Sequence, residues 1–390
     1  VPDTAQPSRR IAFAGIFGVC LLCFLGIGVV LPVLPRYVHG PVGAGDVAVG
    51  IVMGSFAFSA VVVRPIAGRA ADRRGRRIVV CVGATCSAVA GALYFLPLGV
   101  PGLVLARLVL GIGEGCVFTA GATWAVDLST EENRGRVLGL FGLAIWSALA
   151  AGPLLGQILL DNVSYHAVWV VACVAPLGAA LLARSLPESP VVPRPGAERV
   201  PFLPRPAMRP GFALTLASIG HATFASFIVL HTTKQGIGHG AAVFAAFATA
   251  VVGARLLGGR LPDIVGPRRT AVAAAGAEAA GLVVIAQAHT LATAIVGSLV
   301  MGVGFSVLFP SLALLAVNEV GDAGRGAALG AVTAFFDVGQ GIGGPIAGAI
   351  SSAAGYGTAF MVAAVAAAAG GTVAALGAPR VRARVDAIRA

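Results

Sequence analysis

The sequence predicts an all-α membrane protein: twelve transmembrane helices arranged as two pseudo-symmetric six-helix bundles. Three observations predict it. Apolar runs long enough to cross a bilayer recur twelve times in the 390 residues. Basic residues gather in every second connection. The second half repeats features of the first at a constant offset of 191 residues.

Composition removes the other classes. Hydrophobic residues make up 57% of the chain and charged residues 11%, with a mean hydropathy of +0.92. A soluble protein carries about 25% charged residues and could not cover its surface with so few. A cytosolic enzyme, a disordered chain and a secreted disulfide scaffold are thereby excluded. Cys20, Cys23, Cys81, Cys86, Cys116 and Cys173 all fall inside apolar runs. They read as small buried hydrophobes rather than disulfides or zinc ligands.

A helix needs about 20 apolar residues to span a bilayer. The runs lie near 11–34, 47–67, 78–98, 101–127, 137–160, 165–184, 211–231, 240–262, 270–288, 290–317, 327–352 and 355–378. The first has no convincing signal-peptidase site and reads as a retained helix. Glycine and proline inside the runs suit close packing between membrane helices.

Basic residues set the orientation. One set of connections and termini holds 22 arginines, from Arg9 to Arg389; the other holds only Arg36 and Lys234. Both termini are therefore expected in the cytoplasm of a bacterial-type inner membrane. The same asymmetry accounts for the net charge of +11, so no nucleic-acid partner is implied. The interval 185–210 holds eight prolines and six charged residues and reads as a cytoplasmic linker. It separates an N-terminal bundle, 1–184, from a C-terminal bundle with a short basic tail, 211–390.

Shifting by 191 residues superposes Arg64 on Arg255, Gly68-Arg69 on Gly259-Arg260, Asp72 on Asp263 and Gly75 on Gly266. Gly111 and Gly113 fall on Gly302 and Gly304, Arg134-Gly135 on Arg325-Gly326, and Gly152 on Gly343. Two parallel six-helix repeats imply a transporter with its site between them.

The segment from Gly68 to Arg77, GRAADRRGRR, resembles the loop 2–3 signature of the major facilitator superfamily. Arg107, Gly111 and Gly113 resemble that superfamily's fourth-helix signature, with Leu110 where a Gln is usual. Ala148 to Gln157, with Gly152, Pro153 and Gly156, resembles its fifth-helix antiporter signature. The resemblance implies alternating access and proton-driven export, as in drug and metabolite efflux permeases. In that family the acid matching Asp72 faces the start of the eleventh helix, and Arg76 pairs with Asp127 at the end of the fourth. Arg134 flanks the same inner loop.

Three acids lie inside apolar runs: Glu114, Glu278 and Asp337. An Asp at a helix centre costs about 2.5–3.5 kcal/mol to insert, which favours a functional reason for keeping it. Glu114 and Asp337 are expected to carry the coupling proton. Arg107, two turns before Glu114, projects from the same face. It is expected to pair with Glu114 or an anionic substrate group, plain packing being the competing role. Since the family places helix 2 against helix 11, Arg64 is expected to reach Asp337 as an inner gate. Arg255 and Glu278 are expected to pair inside the second half.

Gly68 and Gly75 are expected to permit close backbone approach around Asp72. Gly152, Pro153 and Gly156 are expected to bend the fifth run and pack it on the eighth. His221, Phe224, Phe336 and Trp146, the last being the repeat mate of Asp337, are candidates for substrate binding. His221 is also a candidate proton carrier, against a hydrogen-bonded core role.

No P-loop, H-E-x-x-H or G-x-S-x-G motif occurs, so no enzyme, metal or cofactor is expected. The functional expectation is a monomeric exporter of an amphiphilic drug or metabolite by proton antiport, with the lipid bilayer, protons and a small molecule as partners. A proton symporter or facilitator importing a sugar or organic acid is the alternative. From another class, a membrane sensor without transport remains.

Overall fold

The computed structural model describes residues 5–129, 134–188, 204–320 and 325–376, the side chains of 5–11 and 134–136 excepted. Most of the expected linker, the basic tail, both termini and the Arg134 side chain lie outside the described residues. Fourteen helices occur among those described. In the first half they are α1 (Ala5–Gly28), α2 (Leu34–His39), α3 (Asp46–Arg74), α4 (Arg76–Leu93), α5 (Gly99–Asp127), α6 (Arg134–Asn162) and α7 (Tyr165–Ser185). In the second they are α8 (Arg205–Lys234), α9 (Gly240–Gly258), α10 (Leu261–Val265), α11 (Pro267–Ala286), α12 (Leu291–Asn318), α13 (Arg325–Ala354) and α14 (Tyr356–Ala375). Without the short α2 and α10, twelve long helices remain.

The repeat fixes their boundaries. Adding 191 to the first residues of α4, α6 and α7 (76, 134, 165) gives 267, 325 and 356, the first residues of α11, α13 and α14. Gly75 and Gly266 close the preceding helices in one shared conformation, φ 98° and 96°, which only glycine adopts without strain. Where the halves differ, proline explains it. Pro32 and Pro35 break α1 from α2, and their repeat positions, Thr223 and Ser226, let α8 run unbroken through 30 residues. Gly258-Gly259 and Pro262 break α9 from α10 where α3 is continuous. A proline lacks the amide that the helix ladder needs.

Ten of the described helices are long and apolar enough to cross a membrane. The apolar part of α1, Ala12–Gly28, is shorter. In α13, Asp337, Gln340 and several glycines dilute the hydropathy of a 30-residue helix. α8 begins at Arg205, inside the interval expected as linker. Pro204 and Pro206 do not prevent this, because the first turn of a helix needs no amide donors.

In the first bundle α4 packs on α5 and α7, α3 on α5, and α1 on α6 and α7. In the second, α11 packs on α12 and α14, α8 on α13 and α14, and α12 on α9. Two seams join the bundles, α3 against α13 and α6 against α9. They are repeat images of one another. The α3–α13 seam is tight at the end remote from the arginine-rich connections. A Cβ on Gly50 would overlap the Gly344 carbonyl, and one on Gly344 would lie 2.5 Å from the Gly50 carbonyl oxygen. Nearby, the Tyr356 hydroxyl donates to Asp46 Oδ1 across the bundles at 2.8 Å. Towards the arginine-rich end, Gly139, Gly253, Gly326 and Gly330 have open space where a Cβ would stand.

Candidate functional site

Between the bundles lies a cavity of about 370 Å³. Its walls are mainly apolar, with aromatic rings from both sides: Phe56, Phe118, Phe141 and Trp146 from the first bundle, Phe244, Phe305, Phe309 and Phe336 from the second. Into this apolar space project Arg64, Arg107, Glu114, His221, Arg255 and Gln340.

Arg64 (α3) organises a triad. Its Nε donates to Asp337 Oδ2 (α13) at 2.5 Å and its Nη2 to Asp337 Oδ1 at 3.2 Å. The same Nη2 reaches both oxygens of Glu114 (α5) at 3.1 Å. The guanidinium carbon lies 4.6 Å from the centre of the Phe118 ring. One guanidinium thus faces two carboxylates, both buried, and the triad bridges the bundles through the α3–α13 seam.

Arg107 does not pair with Glu114. Its Nη2 donates to the Met53 carbonyl at 2.9 Å and its guanidinium stacks 4.7 Å over Phe56. Two helical turns hold the residues about 10.5 Å apart along the axis, and Arg64 comes to Glu114 from the neighbouring helix instead. The expected Arg255–Glu278 pair is absent too. Both Glu278 oxygens are buried without a hydrogen-bond partner among the described residues. Arg255 turns the other way, into the cavity, with Nη1 over Gly142 of α6.

Trp146, His221 and Phe336 line the cavity. His221 stacks on Phe305 with ring centres 4.7 Å apart. Gln340 Nε2 lies 2.6 Å from His221 Nδ1, a pairing in which the amide donates to an unprotonated ring nitrogen. Phe224 is corrected: it is fully buried behind the wall, 5.4 Å from Phe244 and 4.9 Å from Phe247 between ring centres. Phe305, Phe309 and Gln340 are wall residues that sequence reasoning missed.

At the arginine-rich end, Arg76 pairs with Asp127 (3.0 Å) and Asp72 (3.1 Å) and donates to the Ala71 carbonyl at 2.7 Å. Asp72 itself is largely exposed. Glu188, unremarked in the sequence, accepts from the backbone amides of Arg76 and Arg77 at 2.9 and 3.1 Å. It caps the first turn of α4, where an anion is favoured. Gly75 leaves room for it, since a Cβ there would lie 2.6 Å from Glu188 Oε2. Gly68 needs no such freedom: it is helical, and a Cβ would make ordinary contact with Thr119 at 3.8 Å. Gly152 and Gly156 pack α6 on Gly28 and Val29 at the end of α1, not on α9 as expected, and Pro153 lies between them inside α6.

The family model described as Major Facilitator Superfamily matches residues 16–243 and 211–389. The chain belongs to the Major Facilitator Superfamily. An MFS-type transporter of Burkholderia mallei (strain SAVP1) is 35% identical over 380 residues, 93% of each chain. The nucleoside transporter NupG shares the fold with a TM-score of 0.76 at 14% identity, over 93% of this chain and 98% of that one. The human organic anion transporter MFSD10 does so with a TM-score of 0.72 at 16% identity, over 94% and 99%. As a member of the superfamily, the protein is a transporter of a small molecule embedded in a lipid bilayer, and the cavity lies between the two halves of a twelve-helix fold.

Proposed function

We propose that the protein is a proton-coupled secondary transporter that moves an amphiphilic small molecule by alternating access. The observation that carries this is the triad: two carboxylates share one guanidinium across the seam between the bundles. With both acids ionised the triad has one negative charge too many, so one added proton balances it. That proton weakens the hold of Arg64 on Asp337 and frees α3 from α13. Proton binding is thereby tied to relative movement of the halves. Aromatic walls around few charges suit a molecule with an apolar body.

The arginine-rich end is the cytoplasmic end on this reading, in a bacterial inner membrane with both termini inside. The first bundle runs as far as α7, which ends at Ser185, and the second begins with α8 at Arg205, so the connection between them is shorter than the interval 185–210. Open space around Gly139, Gly253, Gly326 and Gly330 supports an inward-facing arrangement, with the Arg76–Asp127–Asp72 cluster gating that side. Export in exchange for protons is the direction that the Gly152-Pro153 signature supports. A second reading, cotransport of an organic acid with a proton, is favoured by the cavity charge. Three arginines stand against two acids.

Proteoliposomes holding a pH-sensitive dye test the proposal. A panel of amphiphilic anions, cations and zwitterions should contain members that trigger proton flux in the wild type. Glu114→Gln and Asp337→Asn should each cut that flux by at least about tenfold, as loss of an essential proton carrier does. Flux unchanged in both variants would return the acids to a structural role.

A further inference from the structure

The repeat makes Arg64 and Arg255 equivalent positions, yet their surroundings are opposite. Arg64 meets Glu114 and Asp337. Adding 191 to 114 gives 305, and subtracting 191 from 337 gives 146. Those positions hold Phe305 and Trp146. The positions that correspond to both acids of the Arg64 triad are therefore aromatic in the set that corresponds to Arg255. Arg255 accordingly makes no hydrogen bond or ion pair among the described residues. It nevertheless faces the cavity rather than lipid. Leu256 and Leu257 beside it, 66% and 92% exposed, mark the outer side of α9. Its Nη1 lies over Gly142, where a Cβ would stand 2.8 Å away. The absence of a side chain at Gly142 leaves the guanidinium its place at the wall.

A guanidinium on an aromatic-lined cavity, stripped of the acids its repeat mate has, is a ready partner for a ligand anion. We propose that Arg255 binds the anionic group of the transported molecule. Trp146, Phe305 and Phe336 receive its apolar body. The substrate class is an amphiphilic aromatic monoanion, an arylcarboxylate or its like. This rests on the reading of the cavity as the transport path, and not on the direction in which protons move.

The test is equilibrium binding to the purified full-length protein in nanodiscs of zwitterionic lipid, with no gradient. The probes share one ring system: 2-naphthoate, 2-naphthamide and 2-naphthylmethylammonium. Wild type should bind naphthoate at least about tenfold more tightly than the other two, the scale of one charge-assisted hydrogen-bonded contact. Arg255→Gln should lower naphthoate affinity to that of naphthamide, whose own affinity stays unchanged, and Arg255→Lys should restore part of the difference. Should Arg255→Gln fold poorly, Trp146→Asp answers the same question. It supplies Arg255 with the acid that Arg64 has, and should abolish the preference for naphthoate while Trp146→Phe keeps it. The inference falls if naphthoate does not bind, if amide or ammonium binds as tightly, or if the preference survives both Arg255→Gln and Trp146→Asp. Naphthoate binding without proton flux would sink the coupling reading and leave this one. Proton-coupled transport indifferent to probe charge would do the reverse.

Discussion

Glu278 and the pair Glu114 and Asp337 show how differently a membrane helix can hold an acid. Two share Arg64; the third is fully buried among α8, α11 and α12 with neither oxygen bonded. A buried group without a partner costs about 1–3 kcal/mol. Glu278→Met, close in volume, should therefore raise the melting temperature of the detergent-purified protein and leave substrate-driven proton flux unchanged. A loss of flux would move Glu278 into the coupling machinery. The three acids were visible in the sequence as charges in apolar runs. Their partners were visible only where a neighbouring helix was already assigned. The Arg64–Asp337 contact follows from placing the second membrane helix against the eleventh. Helical phase suggested Arg107 for Glu114, but phase says nothing of axial distance, and a closer guanidinium on α3 took the site.

At the scale of helices, the α3–α13 seam depends on absent side chains. Gly50 and Gly344 bring the two backbones into mutual contact, and Gly54 meets the Gly341 carbonyl one turn further along α3. Gly344→Ala must push the helices apart at the end remote from the arginines. The expected cost is about 1–3 kcal/mol, typical of overpacking, with transport lost because that end no longer closes. Gly330→Ala on the same helix meets nothing within 4 Å and should leave the melting temperature near wild type. Equal effects from the two substitutions would show that the seam is not tight. Most of this architecture was legible: the twelve runs and the offset of 191 residues place every long helix, including α13, whose hydropathy alone is low. The direction of the α6 glycine face was not. Gly152 and Gly156 present the same small-residue pattern to either neighbour, and only the packed bundle selects α1. The cap from Glu188 was hidden likewise, since it joins residues 112 positions apart.

For the molecule as a whole, the charges in and beside the cavity set the sign of coupling. Arg64, Arg107 and Arg255 supply three positive charges, Glu114 and Asp337 two negative ones, and His221 is held by Gln340. A cation and a proton compete for the same carboxylates, which is the condition for exchange. An anion held by Arg255 does not compete. Protonating either acid makes the cavity more positive and strengthens the anion's attraction, and by linkage the bound anion favours the proton equally. Naphthoate affinity should therefore rise as pH falls from about 8 to about 6, and the Glu114→Gln and Asp337→Asn variants should flatten that dependence, since each removes a group whose protonation the anion senses. Naphthamide binding should not change over the same range. A site that loads proton and anion together carries both the same way unless the doubly loaded form cannot move, so this slope favours cotransport. Affinity that falls with acidification would mean that proton and anion exclude one another, and would return the protein to exchange.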